Sequence, residues 1–431
     1  MNSIKNIILT LLIFTTNFAI SQENVWTFQR CVDVALENNI EIKIRQIEVK
    51  RIQKSRNSAW NGLLPTVNFV GNQSYNFGST IDPGTNARVS SNIQFDNFFL
   101  NANLNLLDFT AIATAQKNKI DIEKAKANKE IIENEYKLQL LESFYQALFT
   151  QELLSIQQEQ FKNAVFNLDR ISKEVLLGKK PQSDLYDMQL SFALEEKRIL
   201  ETNQLYILQK NQLFQLMNKF DLNVMQVILS ADAETVETEI PKEITNPKIK
   251  FAALDYQSSL KEINIQKSAN MPVLSTFYNL SSFYFRPLNQ PNAIIESFNN
   301  QLSANKNQQV GIQLSIPIFS GFRNSKKTIS AKLQSEKMKL VIEQEKQKLQ
   351  NQIAAENLNK LNFSALKSKI VETLSYAKAS FATTQNKFIS GKIDAILLAS
   401  VKNQLLTLEY DVLKNSLQLE YTDLKIRFIK N

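Results

Sequence analysis

The chain has 431 residues, enough for more than one ordinary domain, a formal net charge of +8 and no histidine. The missing histidine removes the commonest general base and the commonest metal ligand together, and the single cysteine, Cys31, excludes an intrachain disulfide or a thiolate cluster. Basic residues are interleaved with acids along long polar runs, which suits a solvated helical surface better than a nucleic-acid groove. No catalysis, cofactor, metal or nucleic acid is expected.

Residues 1–21 read as an export signal. Lys5 supplies the positive start, residues 7–14 form a short apolar run, and Ala19-Ile20-Ser21 places small residues where a signal peptidase reads them. Cleavage is expected between Ser21 and Gln22. The apolar run is too short for a stable membrane anchor, and no later stretch approaches 18 consecutive apolar residues. An exported chain of this kind is periplasmic, secreted, or held in an outer membrane by strands.

Residues 28–61 have a helical pattern, with Ala35, Ile40, Ile44, Ile47 and Ile52 among the apolar positions and Cys31 on an apolar face as a buried thiol. Gly62 and Pro65 stop it. Residues 66–77 then alternate with period two, and after the turn signal Asp82-Pro83-Gly84 the alternation returns: Leu100, Ala102, Leu104 and Leu106 against Asn101, Asn103 and Asn105. Next comes a run of 69 residues, 109–177, without glycine or proline. Helix interiors exclude both residues, and a helix of that length would reach roughly 100 Å. Leu154, Phe161, Leu168 and Val175 recur every seven residues along it, the spacing of a seam facing partner helices. Gly178 and Pro181 make a tight reversal before a return helix over 184–217.

The programme then restarts. A second Gly/Pro-free run of 69 residues, 322–390, ends at Gly391, with Phe363, Ile370 and Ala377, then Phe381 and Phe388, at seven-residue spacing. Pro65 maps onto Pro272, Leu104-Asn105-Leu106 onto Leu314-Ser315-Ile316, and Gly178 onto Gly391, at slowly drifting offsets that suit loop insertions between equivalent elements. The layout is a signal peptide (1–21), a first repeat of helix, two strands and long helical hairpin (22–218), a linker (219–245) and a second repeat (246–431).

Each repeat supplies two strands, over 65–75 and 97–107, then 272–285 and 310–319. Strands of about ten residues with one apolar and one Asn/Ser/Gln face suit a tilted membrane crossing beside a water-filled lumen. Tyr75, Phe77, Phe98, Phe99, Phe283, Tyr284 and Phe285 cluster beside the two strand-connecting loops, and Phe109, Phe319 and Trp60 near the opposite ends, as two interfacial girdles would. Four strands cannot close a barrel in lipid, so several chains must share one, either two or three by the sequence itself.

Residues 28–39 (FQRCVDVALENN), Leu63-Leu64-Pro65 and Ile316-Pro317-Ile318-Phe319-Ser320-Gly321, together with the tip stretches 178–185 and 391–398, resemble the TolC-like outer-membrane efflux proteins over essentially the whole mature chain. The resemblance implies a mainly α fold with a β-barrel: a homotrimer whose chains each give four strands to a barrel of twelve, continued by long antiparallel helical hairpins as a periplasmic tunnel. Loops 78–97 and 285–308 would face the exterior, and the linker would join a belt around the tunnel. The tips, with Gly178, Ser183, Asp184, Leu185, Gly391 and Asp394, would meet a periplasmic adaptor and an inner-membrane pump.

In some family members carboxylates just beyond the second tip glycine gate the pore. Here those positions hold Leu397 and Ser400, while the first repeat carries Asp184 and Asp187 at the equivalent places, and Asp394 sits three residues earlier. Asp184 and Asp187, one helical turn apart, either line a constriction or simply begin a helix, where acids suit the positive dipole end. The resulting expectation is a passive exit duct of a tripartite efflux or type I secretion system, embedded among outer-membrane lipids. The rival reading, a periplasmic coiled-coil adaptor, is disfavoured by the duplicated strand pairs.

Overall fold

The computed structural model describes residues 25–56, 61, 64–81, 86–90, 92–219, 226–231, 244–288 and 294–431. The signal segment with its Ser21–Gln22 junction, Trp60 and most of the linker 219–245 lie outside the described residues.

In chain order, strand β1 (Val25–Thr27) runs into helices α1 (Phe28–Asn38) and α2 (Ile40–Ser55). Strand β2 (Thr66–Asn76), the small strands β3 (Ser79–Ile81) and β4 (Arg88–Ser90), and strand β5 (Ile93–Asp108) lead to the 68-residue helix α3 (Phe109–Leu176). Helix α4 (Gln182–Leu216) returns and strand β6 (Ile228–Ser230) follows. The second half comprises α5 (Pro247–Ser268), β7 (Val273–Pro287), α6 (Phe298–Ala304), β8 (Asn307–Ser315), the 67-residue α7 (Arg323–Ile389) and α8 (Ala395–Lys430). The order helix, strand, strand, long helix, return helix occurs twice.

Several boundaries differ from the sequence reading, two of them for a local reason. The helix expected over 28–61 is two helices, because Asn39 is extended (φ −64°, ψ 122°) and its side-chain oxygen accepts from the Ile42 N–H at 3.0 Å. One residue thereby ends α1 and caps α2. Strand β8 stops at Ser315 and not at 319, just before Pro317, which has no N–H to give a ladder. Strand β5 begins at Ile93, four residues before the expected start.

The chain divides into two compact units. One, Glu48–Lys126 with Phe251–Glu343, holds the four-stranded antiparallel sheet in the order β2-β5-β7-β8. The register puts Val67, Ala102, Tyr278 and Val310 in one row, and Phe69, Leu100 and Leu280 in the next row of the same face. The opposite face carries Asn68, Asn101, Asn279 and Gln309 in one row. A register shift between Asn105 and Leu107 places Leu107, not Leu106, opposite Leu274, so the apolar face continues to the helical end of the sheet. The aromatic set beside the loops divides between the faces: Phe98 and Tyr284 lie with the apolar rows, Phe99, Phe283 and Phe285 with the asparagines.

Strand β7 outruns β8 by several residues at the loop end, and α6 takes over its exposed edge. The Gln301 side chain accepts from the Phe285 N–H at 3.0 Å and donates to the Phe285 carbonyl at 3.1 Å, while Asn305 donates to the Phe283 carbonyl at 2.9 Å. Side-chain amides thus satisfy backbone groups that a longer β8 would have paired.

The other unit comprises the described residues of Met1–Ile47, Ala127–Lys250 and Gln344–Asn431. Its main core gathers Trp26, Phe28, Phe144, Tyr145, Leu213 and Phe214 from β1, α1, α3 and α4, all almost fully buried. Cys31 is buried there too. Strands β1 and β6 pair in parallel, and Gln151 of α3 pins Leu229 of β6 by accepting from its N–H and donating to its carbonyl. Salt bridges Lys360–Asp423 (2.6 Å) and Lys425–Glu356 (2.7 Å) lace α7 to α8. In the middle of α7 the seven-residue positions Phe363, Ile370, Ala377 and Phe381 are less exposed than their neighbours, as a seam requires.

Candidate functional site: the paired helical tips

Both long helices end in the same backbone device. Gly178 has φ +69° and Gly391 φ +70°; Lys179 N–H bonds to the Glu174 carbonyl and Lys392 N–H to the Lys387 carbonyl, each at 2.9 Å, while the glycine N–H groups bond to Val175 and Phe388. The left-handed residue lets the chain fold back over the last turn and satisfy its carbonyls, which is why glycine recurs at both ends. The helices that follow start differently. Pro181 precedes α4 without a side-chain cap, whereas the Asp394 carboxylate accepts from the Leu397 N–H at 2.8 Å and caps α8.

A small core closes the two tips on one another. Phe388 is fully buried among Ile171, Met188, Ala395 and Leu398, with Leu185 partly buried against them. Two cations flank the Phe388 ring, the Arg170 guanidinium at 4.6 Å and the Lys180 ammonium at 5.2 Å from its centroid. Lys180 also donates to Asp184 at 2.9 Å. Asp184 is therefore engaged in a local ion pair, and only part of its carboxylate meets solvent.

Asp187 points elsewhere. It lines a groove of about 450 Å³ between α4 and α8, together with Leu190, Leu194, Ala399 and Ser400. Asp187 and Ser400 occupy equivalent positions of the two repeats, so the duplication brings both to one groove. Further along, Glu195 and Lys402 pair at 2.8 Å and are largely buried, and Arg198 donates to Asn403 at 2.9 Å. Ser183 is exposed, and Gly178 and Gly391 have open space around them. The candidate residues thus separate into a turn (Gly178, Gly391), a cap (Asp394), a packing contact (Leu185), an ion pair (Asp184) and a groove wall (Asp187). Sequence reasoning missed Lys180 and Arg170. Their roles depend on Phe388 of the other repeat, and nothing local announces that contact.

Amphipathic strand hairpins, each followed by a long helical hairpin, occur in two copies, the build of the TolC-like channel fold. The sequence model of the family described as "Outer membrane efflux protein" matches residues 31–219 and 243–427, and the chain belongs to that family. No curated protein matches the sequence. Among solved structures, a CusC structure described in terms of transmembrane channel formation is similar at 12% identity and a TM-score of 0.77, over 94% of this chain and 92% of that one. The CmeC outer membrane channel of Campylobacter jejuni is similar at 14% identity and TM-score 0.75, covering 95% of this chain and 85% of that one. The outer membrane protein VceC of Vibrio cholerae is similar at 13% identity and TM-score 0.72, covering 93% and 95%. At these identities the likeness establishes the fold. The family is one of outer-membrane efflux channels, not enzymes, and it places the protein in the outer membrane. Among the described residues no helix is long and apolar enough to cross a membrane.

Proposed function

We propose that three copies of this chain form the passive outer-membrane duct of a tripartite efflux or secretion assembly, fed by an inner-membrane pump through a periplasmic adaptor that meets the helical tips. The observation that carries this reading is the sheet. Its outer strands β2 and β8 each pair on one side only among the described residues, and one face is largely apolar while the other carries most of the Asn, Gln and Ser, with Phe99, Phe277, Phe283 and Phe285 among them. In hydrocarbon an open strand edge leaves backbone groups unpaired at several kcal/mol each, so β2 of one copy must meet β8 of the next. The polar faces then line water, and three copies give a closed barrel within the bacterial size range. Residues 22–218 and 246–431 act as two repeats of one structural unit, joined by the linker 219–245.

Electron microscopy of the protein extracted in detergent from isolated outer membranes tests this. A three-fold canister with a short barrel is expected; a monomer recovered without detergent overturns it. At the tips, the groove position of Asp187 favours it over the lysine-paired Asp184 as the carboxylate lining a constriction. Single-channel recordings should show a larger rise in conductance for D187A than for D184A. Unchanged conductance in the double variant removes both from the gate.

A further inference from the structure

Towards the loops the apolar face of the sheet is partly covered. There α6 leans over β7 and β5: Phe298 packs edge-on against Phe98 (5.9 Å between centroids) and at a tilt against Tyr284 (5.2 Å), and the Ser282 hydroxyl donates to the Leu302 carbonyl at 2.7 Å. Between the helix and the sheet lies a notch of about 340 Å³, walled by Phe69, Phe98, Leu100, Leu280 and Leu302, with Lys306 at its edge. Its lining is almost wholly apolar, and Lys306 is the only charged residue among the described residues that line it. Arg286 lies on the same face two rows further out, paired with Gln94.

We infer that this notch is a lipid-binding site, taking an acyl chain of a phosphorylated, multiply acylated lipid of the outer leaflet with the phosphate on Lys306. The inference rests on the barrel reading above, which turns this face towards hydrocarbon. Three observations fix the occupant. The apolar rows run from Leu274 at the helical end to Leu280 at the middle of β7, and the notch extends from there towards the loops through Phe98 and Ser282. An apolar hollow in a lipid-facing wall is filled by what surrounds it, and acyl chains are the only apolar chains there. A cation at the outward rim suits an anionic headgroup, as basic side chains at a membrane surface do. Asp96, one row beyond Phe98 on the same face, is buried and accepts from the Gln94 side chain at 2.8 Å, and Glu296 of the connecting segment accepts from the Asn300 side chain at 2.8 Å. The polar edge contacts of Gln301 and Asn305 hold α6 in place, so the notch is a built feature of the fold and not a gap between loose segments.

The test is lipid retention by the full-length oligomer, purified from outer membranes and exchanged into mild detergent, read by native mass spectrometry and by phosphate assay of extracted lipid. The expected result is a phosphorylated multi-acyl lipid retained at up to one per chain. K306E should weaken retention at least roughly fivefold, the factor carried by one basic side chain at an anionic surface. L302W, which fills the notch, should abolish it. Lys306 is exposed, so K306E keeps the fold and the test stands even if L302W misfolds. Equal retention in wild type and K306E, retention of zwitterionic phospholipid alone, or occupancy by detergent without charge preference would each overturn the site. Failure to recover any oligomer from the membrane would instead count against the barrel reading.

Discussion

Replacing Phe388 with alanine should loosen the helical tips while leaving the rest of the helical unit intact. The ring is fully buried against Ile171, Met188, Ala395 and Leu398, so truncation removes its transfer energy and leaves a cavity that four side chains from three other helices cannot fill. Such Phe→Ala changes cost about 3–5 kcal/mol. The ring also holds Arg170 at 4.6 Å and Lys180 at 5.2 Å, contacts worth about 0.5–1 kcal/mol each. Lys180 keeps Asp184 and Arg170 keeps Glu174, so neither cation is stranded. A loss of about 4 kcal/mol corresponds to roughly a thousandfold change in a local opening equilibrium. Hydrogen exchange by mass spectrometry should therefore show amides of 171–185 and 388–398 losing protection by about that factor. Segments 140–148 and 206–217, which belong to the separate main core, should change little. Unchanged protection at the tips, or an equal loss in both regions, would refute the claim that Phe388 anchors a local cooperative unit.

Gly311 of β8 sits beneath Phe277, where an added Cβ would come within 2.6 Å of the ring. G311V should destabilise the detergent-solubilised protein by about 1–3 kcal/mol in thermal melts, and F277A should relieve much of that; simple additivity of the two would deny the contact. Lys210 is buried, with its ammonium donating to the Val227 carbonyl at 3.1 Å and lying over the Tyr206 ring, and burial holds its pKa below the ordinary lysine value. The unfolded chain then binds the extra proton between that lowered pKa and 10.5, so stability should rise with pH across this window. Burial raises the Tyr206 pKa above 10.0, so stability should fall again once unfolded tyrosine ionises. K210M should remove the rise and keep the fall in a pH series of chemical denaturation; a retained rise would assign it to another group.

Much of the architecture is local in origin, and the sequence by itself determined that part. Two Gly/Pro-free runs ending at Gly178 and Gly391 become α3 and α7, because helix propensity and the left-handed cap are properties of a few neighbouring residues. Period-two alternation marked β2, β5 and β8 within a few residues, and the repeat placed β7 by mapping Pro65 onto Pro272. Local signals also misled where two of them competed. Asn39 sits inside an otherwise helical pattern but caps, and the alternation through Ile316 and Ile318 continues past the point where Pro317 forbids pairing. Tertiary structure alone decided what depends on residues far apart in the chain. Phe388 meets Arg170 and Lys180 across the repeat; Asp184 turns to Lys180 while Asp187 faces the α4–α8 groove. Helix α6 becomes the cover of a strand edge because β7 happens to outrun β8. Propensity is written residue by residue, but partnership is set by register and by packing of distant segments, and no single stretch of sequence contains it.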